Sequence, residues 1–179
     1  MREDVENLHI EKVACLCRSV SCFALVVYAQ RYIFLSGGSE QFNGREIPVD
    51  FVTEIDPEAD LQFTAPSLSH ARMYHSSISQ QNFVYALGGY IGYPGQLDRS
   101  VDCFDFETRQ GWNIVIKSST LKRSDFAVGN ISTTEFIAFG GVDRKTNKWA
   151  KNVLFLNLKN NNLELRSQSN SSMRFKTLN

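Results

Sequence analysis

Short apolar runs, each followed by two adjacent glycines, recur three times along the chain. The apolar residues are 32–35, 83–87 and 136–139, and the glycine pairs are Gly37 with Gly38, Gly88 with Gly89, and Gly140 with Gly141. The second glycines of successive pairs are 51 and 52 residues apart. A fixed period of this length is typical of a repeat protein. A strand that ends in two glycines also indicates positive φ or a close approach of neighbouring backbone.

Each apolar run is the second half of a predicted β-hairpin. Apolar segments at 23–28, 74–78 and 126–131 precede the three runs across short polar turns, so each pair of strands must be antiparallel. Phe23, Tyr74 and Phe126 each lie 14 residues before the first glycine of their pair, which predicts that the hairpins superimpose without a gap.

A polar loop and two further strands follow each glycine pair. The predicted strands are 51–56 and 61–63, 100–106 and 112–115, and 152–158 and 163–165. The apolar periodicity is close to two throughout. We therefore predict an all-β chain of three four-stranded antiparallel meanders, with almost no helix beyond a turn before Val13.

The composition is that of a folded chain with balanced charge. It has 179 residues, 42% of them hydrophobic, and 19 basic against 19 acidic side chains. No global positive field exists, so we expect neither a nucleic-acid nor a membrane partner. Seven acids lie in residues 40–62 and eight bases in residues 144–179. We interpret both blocks as solvated loops, with complementary edges that meet one another as the second interpretation.

The start of the chain and its cysteines predict a cytoplasmic protein without a metal. The first residues lack the basic-then-apolar order of a secretory signal, and the apolar stretch 13–29 is interrupted by Arg18. No transmembrane helix is expected. The cysteines, none of them in paired C-x-x-C ligands, are Cys15, Cys17, Cys22 and Cys103.

The middle copy resembles the kelch repeat. The resemblance covers about residues 18–166 and depends on Arg72, His75, the Gly88-Gly89 pair, Phe104 and Trp112. It implies that each repeat is one blade of a β-propeller, with the glycine pair after the second strand. It also implies that Phe104 and Trp112 form the blade core. The expected repeats are 18–68, 69–120 and 121–170, with a polar arm or cap at 1–17 and the start of a further repeat or a tail at 171–179.

The outer copies depart from the kelch pattern. They lack the tryptophan, with Phe63 and Leu163 or Leu165 nearby, and Ala127 is expected where the middle copy has His75. Propellers close with about 4 to 8 blades. We therefore expect a kelch-type β-propeller fragment of three blades plus the start of a fourth. It is an open arc, a truncated chain or one completed by another chain, and it self-associates through its open blade faces.

The sequence offers no catalytic constellation. The three histidines, His9, His70 and His75, are not at metal-ligand spacing, and no nucleophile elbow, phosphate-binding loop or H-E-x-x-H motif is present. We expect no enzyme activity and no cofactor, and a structural role for His75. The resemblance leaves one alternative, a fragment of a copper enzyme of the galactose-oxidase type. Such a site needs tyrosine, histidine and cysteine ligands from several blades, whereas Cys103 lies in a blade strand.

The loops after the glycine pairs are the predicted binding elements. Aromatic residues and arginine tend to dominate binding energy, and these loops mix them with polar groups. Tyr93 and Trp149 have an alternative role, which is to cap the neighbouring blade. The candidate partner-binding residues are Phe42, Arg45, Tyr90, Tyr93, Arg144, Lys148 and Trp149.

The resemblance implies that the loops bind a protein partner. Kelch proteins often recognise partners, as substrate receptors of ubiquitin ligases that carry a BTB domain or as actin-associated cytoskeletal scaffolds. No BTB segment fits before the first repeat. We therefore interpret the chain as a non-enzymatic protein–protein interaction scaffold, with a ubiquitin-ligase adaptor or a cytoskeletal scaffold as the more specific alternatives.

Overall fold

The computed structural model describes residues 16, 18–92, 96–143, 146–159 and 162–169. Within this part the chain forms strands, with Ser119–Leu121 as one short 3-10 helix. No helix in the described residues has the length and apolar character needed to cross a membrane. The turn predicted before Val13 lies outside the described residues. The strands are β1 Ala24–Tyr28, β2 Tyr32–Ser36, β3 Ser39–Phe42, β4 Arg45–Pro48, β5 Val52–Asp56, β6 Leu61–Thr64, β7 Ser76–Gln80, β8 Phe83–Leu87, β9 Tyr90–Gly92, β10 Gln96–Leu97, β11 Ser100–Asp105, β12 Trp112–Lys117, β13 Ser124–Asn130, β14 Glu135–Asp143, β15 Lys148–Trp149, β16 Asn152–Lys159 and β17 Asn162–Ser169.

The strands form three antiparallel sheets, one for each repeat. The first sheet has the order β1-β2-β5-β6, the second β7-β8-β11-β12 and the third β13-β14-β16-β17, with β15 added to β14. This confirms the all-β prediction and the four-stranded meanders. The loops after the first two glycine pairs differ from expectation, because they contain the two-stranded hairpins β3–β4 and β9–β10.

Neighbouring sheets pack face to face around an axis lined by their first strands. Strand β1 contacts β7, and β7 contacts β13, whereas the outer strands β12 and β17 meet at the periphery. Each sheet therefore buries one face against the next sheet, as the blades of a radial array do.

Aromatic rings fill the space between the first and second sheets. The ring centroids of Phe34 and Phe104 are 5.4 Å apart, and those of Phe34 and Trp112 are 6.0 Å apart. The indole N–H of Trp112 donates to the carbonyl oxygen of Pro66 at 3.0 Å, so the buried donor is satisfied. Phe104 and Trp112 are thus core residues, as the resemblance implied.

A second core lies between the second and third sheets. It includes Tyr85 and Leu87 from the second sheet and Phe136 from the third, with 5.5 Å between the ring centroids of Tyr85 and Phe136. The outer face of the third sheet is different. Phe139, which matches the fully buried Leu87, is 48% exposed. Self-association through this face stays a prediction.

Two of the acids in residues 40–62 are buried rather than solvated. Glu54 accepts a hydrogen bond from Arg109 of the second sheet at 2.5 Å, and Asp56 accepts two from Arg31. The interpretation of this block as solvated loops is therefore wrong at these positions. Glu54 and Asp56 lie two residues apart on one face of the inner strand β5, where Arg109 and Arg31 reach them.

The glycine pairs stand where neighbouring backbone leaves no room for a side chain. Gly37 has φ of +59°, and a Cβ there would lie 2.5 Å from the carbonyl oxygen of Arg72 and 2.7 Å from Cε1 of His75, both in the second repeat. Gly89 faces its own repeat, because a Cβ there would lie 2.6 Å from Cβ of His75. The first glycine of a pair thus allows close contact with the backbone of the next repeat. The second glycine allows close contact with the residues that lead into the first strand of its own repeat.

The second hairpin is one residue shorter than the first. Strands β7 and β8 are joined by two residues, 81–82, whereas β1 and β2 are joined by three, 29–31. The strand residue directly before the first glycine of each pair has a cross-strand partner in the first strand of the same sheet. This partner is Ala24 in the first repeat, Ser76 in the second and Ala127 in the third. Ala127 therefore corresponds to Ser76 and not to His75.

The expected superposition of the hairpins without a gap is wrong by one residue. His75 takes the position that Phe23 and Phe126 have in the other two repeats. In each case the Cβ atom of this residue lies within 3.1 Å of the position that a Cβ atom would occupy on the second glycine of the same repeat. The apolar pattern did not reveal this, because one residue in a turn leaves the alternation in the strands unchanged. The residues before these three all have φ between 55° and 56° and are Cys22, Tyr74 and Asp125.

The glycine constraint is tested by Gly37→Ala. We expect this substitution to lower the free energy of unfolding by roughly 2–5 kcal/mol, through left-handed strain and overpacking together. Gly140→Ala is the matched control, because Gly140 has φ of +76° but no atom within 4 Å of its Cβ position. It should cost only about 1–2 kcal/mol. Equal losses in urea denaturation would contradict the proposed role of close approach.

The aromatic core is tested by the two tryptophans. Trp112→Ala should destabilise the chain by about 3–5 kcal/mol, as other deletions of buried aromatic rings do. Trp149→Ala should cost little, since that side chain is 76% exposed. Thermal and urea unfolding of both variants provide the measurement, and similar losses would mean that Trp149 also packs in a core.

Candidate interaction surface

The segments that follow the glycine pairs lie at one end of the three sheets. Because the strands are antiparallel, the second strand of each sheet ends where the third begins and where the linker from the previous sheet arrives. We call this the glycine-pair end and define it as residues 37–51, 65–75, 88–92, 96–100, 117–124, 140–143 and 146–151.

The β3–β4 hairpin presents two of the predicted binding residues side by side. Phe42 pairs with Arg45 across the turn, and both side chains are exposed, Phe42 by 63%. Ile47 on the same hairpin is also exposed. This hairpin contacts β9 of the second repeat, so it is supported from one side.

Strand β15 presents two more of the predicted residues. Trp149 pairs with Val142 and Lys148 with Asp143, and both Trp149 and Lys148 are exposed. Together with Lys151 they line a cleft of about 670 Å³. Trp149 does not cap a neighbouring sheet in the described part of the chain, since three quarters of its surface faces solvent.

The remaining predicted residues are less available. Tyr90 is half-buried, and its backbone exchanges hydrogen bonds of 3.0 and 2.8 Å with Met73. The backbone of Tyr90 therefore holds the linker in place, and Tyr90 is only partly exposed to solvent. Tyr93 and Arg144 lie outside the described residues.

The charge of the glycine-pair end changes from the first sheet to the third. Glu46 of β4 accepts a hydrogen bond from the Tyr74 hydroxyl at 3.1 Å, and Glu40 pairs with Arg18 at 2.5 Å. Lys148 and Lys151 flank Trp149 at the other side. Arg45 also lies opposite Phe42, so the charge beside Phe42 is mixed, whereas the charge beside Trp149 is basic.

Two buried arginines support this end from below. Arg72 Nη1 donates to the carbonyl oxygen of Gly88 at 3.2 Å, and Arg123 Nη1 donates to that of Gly140 at 3.2 Å. Each arginine thus ties the linker that enters its repeat to the first glycine of that repeat. Burial lowers the pKa of Arg123. The sequence placed Arg72 in the repeat signature but missed Arg123, although it lies 51 residues further on.

His75 is a packing residue. Its Nε2 lies 3.1 Å from the Ser36 hydroxyl, while Nδ1 has no hydrogen-bond partner. Burial, with the charge of Arg72, lowers the pKa of His75 to about 3. The ring is therefore neutral at physiological pH, where it cannot serve as an acid.

Tyr85 and Cys103 are neighbours in the second sheet but do not form a site with histidine. They pair across β8 and β11 within the second core. Burial raises the pKa of the Cys103 thiol to about 12 and also raises that of the Tyr85 phenol. The two histidines of the described residues bond elsewhere, His75 to Ser36 and His70 beside Asp98.

The family model described as Kelch motif matches residues 71–110, which include Arg72, His75, the Gly88-Gly89 pair and Phe104. The chain therefore carries a kelch motif in its middle repeat. It is also similar to a solved structure titled "Structure of YjhT", with a TM-score of 0.71 and 14% sequence identity. The similarity covers 86% of this chain and 53% of that chain, so this chain spans about half the length of the other. At this identity the likeness shows a shared fold, and the three sheets are blades of a kelch-type β-propeller.

Replacement of His75 by phenylalanine, the residue at the matching position in the other two repeats, tests its neutral burial. The unfolded state binds a proton below pH 6.5, whereas folded His75 does so only near pH 3, so stability should fall as the pH drops from 7 to 5. The slope from this group approaches about 1.4 kcal/mol per pH unit.

We expect His75→Phe to remove this slope, measured by urea denaturation at a series of pH values. His70→Ala is the control and should retain it, because His70 is exposed. A slope that persists in His75→Phe would show that another group causes it.

Proposed function

We propose that this kelch protein is a non-enzymatic binding module that holds a protein partner at its glycine-pair end. The observation that carries the proposal is the exposure of Phe42 and Trp149 on segments that follow the glycine pairs. Large aromatic side chains on loops of a rigid scaffold are the usual anchors of protein interfaces.

The size of the surface favours a protein over a small ligand. Phe42 belongs to the first repeat and Trp149 to the third, so a partner that contacts both must extend across the second repeat. Stable protein interfaces bury about 800 Å² on each partner, and contacts on three repeats suit a macromolecule better than a small ligand. Lys148 and Lys151 beside Trp149 favour a partner that carries acidic groups on that side.

The scaffold under this surface is suited to binding without rearrangement. The linkers and glycine carbonyls are joined by the buried Arg72 and Arg123, and Tyr90 is bonded to Met73 through the backbone. A preorganised surface loses little entropy when a partner binds.

The titratable groups support a non-enzymatic role. The shifted pKa values of His75, Tyr85 and Cys103 follow from burial in cores between sheets, and each shift keeps the group in its uncharged form near neutral pH. These groups contribute packing, and an active site needs charged or proton-exchanging groups within reach of a substrate.

We also propose a cytoplasmic location. Cys22 and Cys103 are free thiols in the structure. Free thiols persist in the reducing cytosol, whereas secreted domains commonly pair them.

Affinity capture with surface variants tests the binding proposal. Trp149→Ala and Phe42→Ala should each reduce recovery of the partner at least tenfold, as loss of a hot-spot aromatic costs 2 kcal/mol or more. Leu61→Ala and Ile131→Ala are the controls, because both residues are about half exposed but lie at turns of the opposite end.

A capture that all four variants retain would place the partner elsewhere on the protein. The identity of the captured protein separates the more specific roles. A ubiquitin-ligase subunit supports an adaptor, and an actin-associated protein supports a cytoskeletal scaffold. Turnover of a captured small molecule would contradict the non-enzymatic role.

A further inference from the structure

Three potential metal ligands converge beside the linker between the first and second sheets. His70 lies on the linker, Asp98 on the loop before β11, and Asp102 within β11. The ligand atoms of the three side chains lie within 4.8 Å of one another, and His70 Nδ1 is 3.9 Å from Asp98 Oδ2. Asp98 and Asp102 are buried, while His70 is exposed at the rim of a cleft of about 420 Å³.

One oxygen of Asp98 is buried without a hydrogen bond. Oδ1 accepts the backbone N–H groups of Arg99 at 2.6 Å and Ser100 at 2.9 Å, but Oδ2 accepts none. Arg72 Nη2 forms an ion pair with Oδ2 at 2.8 Å and donates a hydrogen bond to the Ser100 hydroxyl at 3.2 Å. The side chain of Asp98 is only 8% exposed and lines the cleft. Oδ2 is therefore compensated in charge by Arg72 but accepts no hydrogen bond, and a carboxylate oxygen has more than one acceptor position for a further ligand.

The cluster also carries an excess of negative charge. Asp98 and Asp102 contribute two carboxylates, and Arg72 contributes one positive charge 2.8 Å from each. The hydroxyl groups of Ser69 and Ser100 donate to Asp102 but are neutral. The buried side chains Asp98, Asp102 and Arg72 therefore carry one negative charge in excess, while the bases Arg99 and Lys117 line the cleft from exposed positions.

We propose that His70, Asp98 and Asp102 bind a divalent cation of the zinc class. Bonds of about 2.0–2.2 Å in a tetrahedral zinc site hold ligand atoms about 3.4 Å apart, so the 3.9 Å between His70 and Asp98 closes with a small movement of the exposed histidine. An imidazole nitrogen favours zinc over calcium or magnesium, which prefer oxygen alone. The cleft has room for water as a fourth ligand.

Such an ion has a structural consequence that is separate from partner binding. His70 belongs to the linker that leaves the first sheet, whereas Asp98 and Asp102 belong to the second sheet. A cation bound by all three joins the linker to the second sheet at the glycine-pair end. Metal loading therefore raises the stability of the chain, because the ion binds the folded state.

The test is titration of the full chain with zinc chloride under reducing conditions, followed by calorimetry and by the imidazole NMR signals of His70. We expect a stoichiometry of one at His70, a shift of its signals and a rise in melting temperature. His70→Ala should weaken binding at least tenfold, since even outer-shell changes cost about 10- to 100-fold. His70→Cys should bind zinc more tightly than His70→Ala, because it restores a ligand.

Asp98→Asn should weaken binding to a similar extent, and Asp60→Asn is the control because Asp60 is an exposed acid in a distant turn. If Asp98→Asn fails to fold, the two His70 variants decide the result. Wild-type protein that shows no shift of the His70 signals, or His70→Ala that binds zinc as tightly as wild type, overturns the proposal. Zinc bound only by the thiols would give this second result.

Discussion

The close approach of one repeat to the glycine pair of the previous repeat is the constraint on which the rest of the structure depends. The amide of Gly38 donates to the carbonyl oxygen of Arg72 at 2.8 Å, and the amide of Gly89 donates to that of Arg123 at 2.9 Å. These bonds join neighbouring sheets through the backbone, and the missing Cβ atoms allow them. Since both bonds repeat with the period of the sequence, each sheet positions the next.

The same contact explains why buried arginines and a buried histidine occur in a core of apolar strands. The linker carries its carbonyl groups toward the glycines, and the side chains beside those carbonyls point inward. Arg72 and Arg123 then satisfy the glycine carbonyls, and the ring of His75 covers Gly37. The polar network is thus a consequence of the linker geometry. It makes the glycine-pair end rigid while the hairpins above it remain free to vary.

Much of the fold could be predicted from the sequence, because alternation and glycine pairs are local signals. The strands of all three sheets follow from them. The core positions of Phe104 and Trp112 were implied by the kelch resemblance, and of the two roles predicted for Trp149 the structure favours the exposed one. The one-residue offset of His75 could not be predicted, since turn length does not affect alternation. The cluster of His70 with Asp98 was missed for another reason: the two residues are 28 positions apart, and only the packing of the linker on the second sheet brings them together.

The charged side chains at the two ends of the sheets differ in whether they are paired within the chain. At the turn end, Glu54 pairs with Arg109 and Asp56 with Arg31, so these acids are neutralised within the chain. A buried pair of this kind contributes little net stability, but loss of one partner leaves an unpaired charge. At the glycine-pair end, Lys148 and Lys151 stand exposed beside Trp149. The acidic and basic blocks of the sequence are therefore not equivalent. Glu54 of the first block joins the first repeat to the second through Arg109, and Asp56 pairs within the first repeat, whereas these two lysines are exposed.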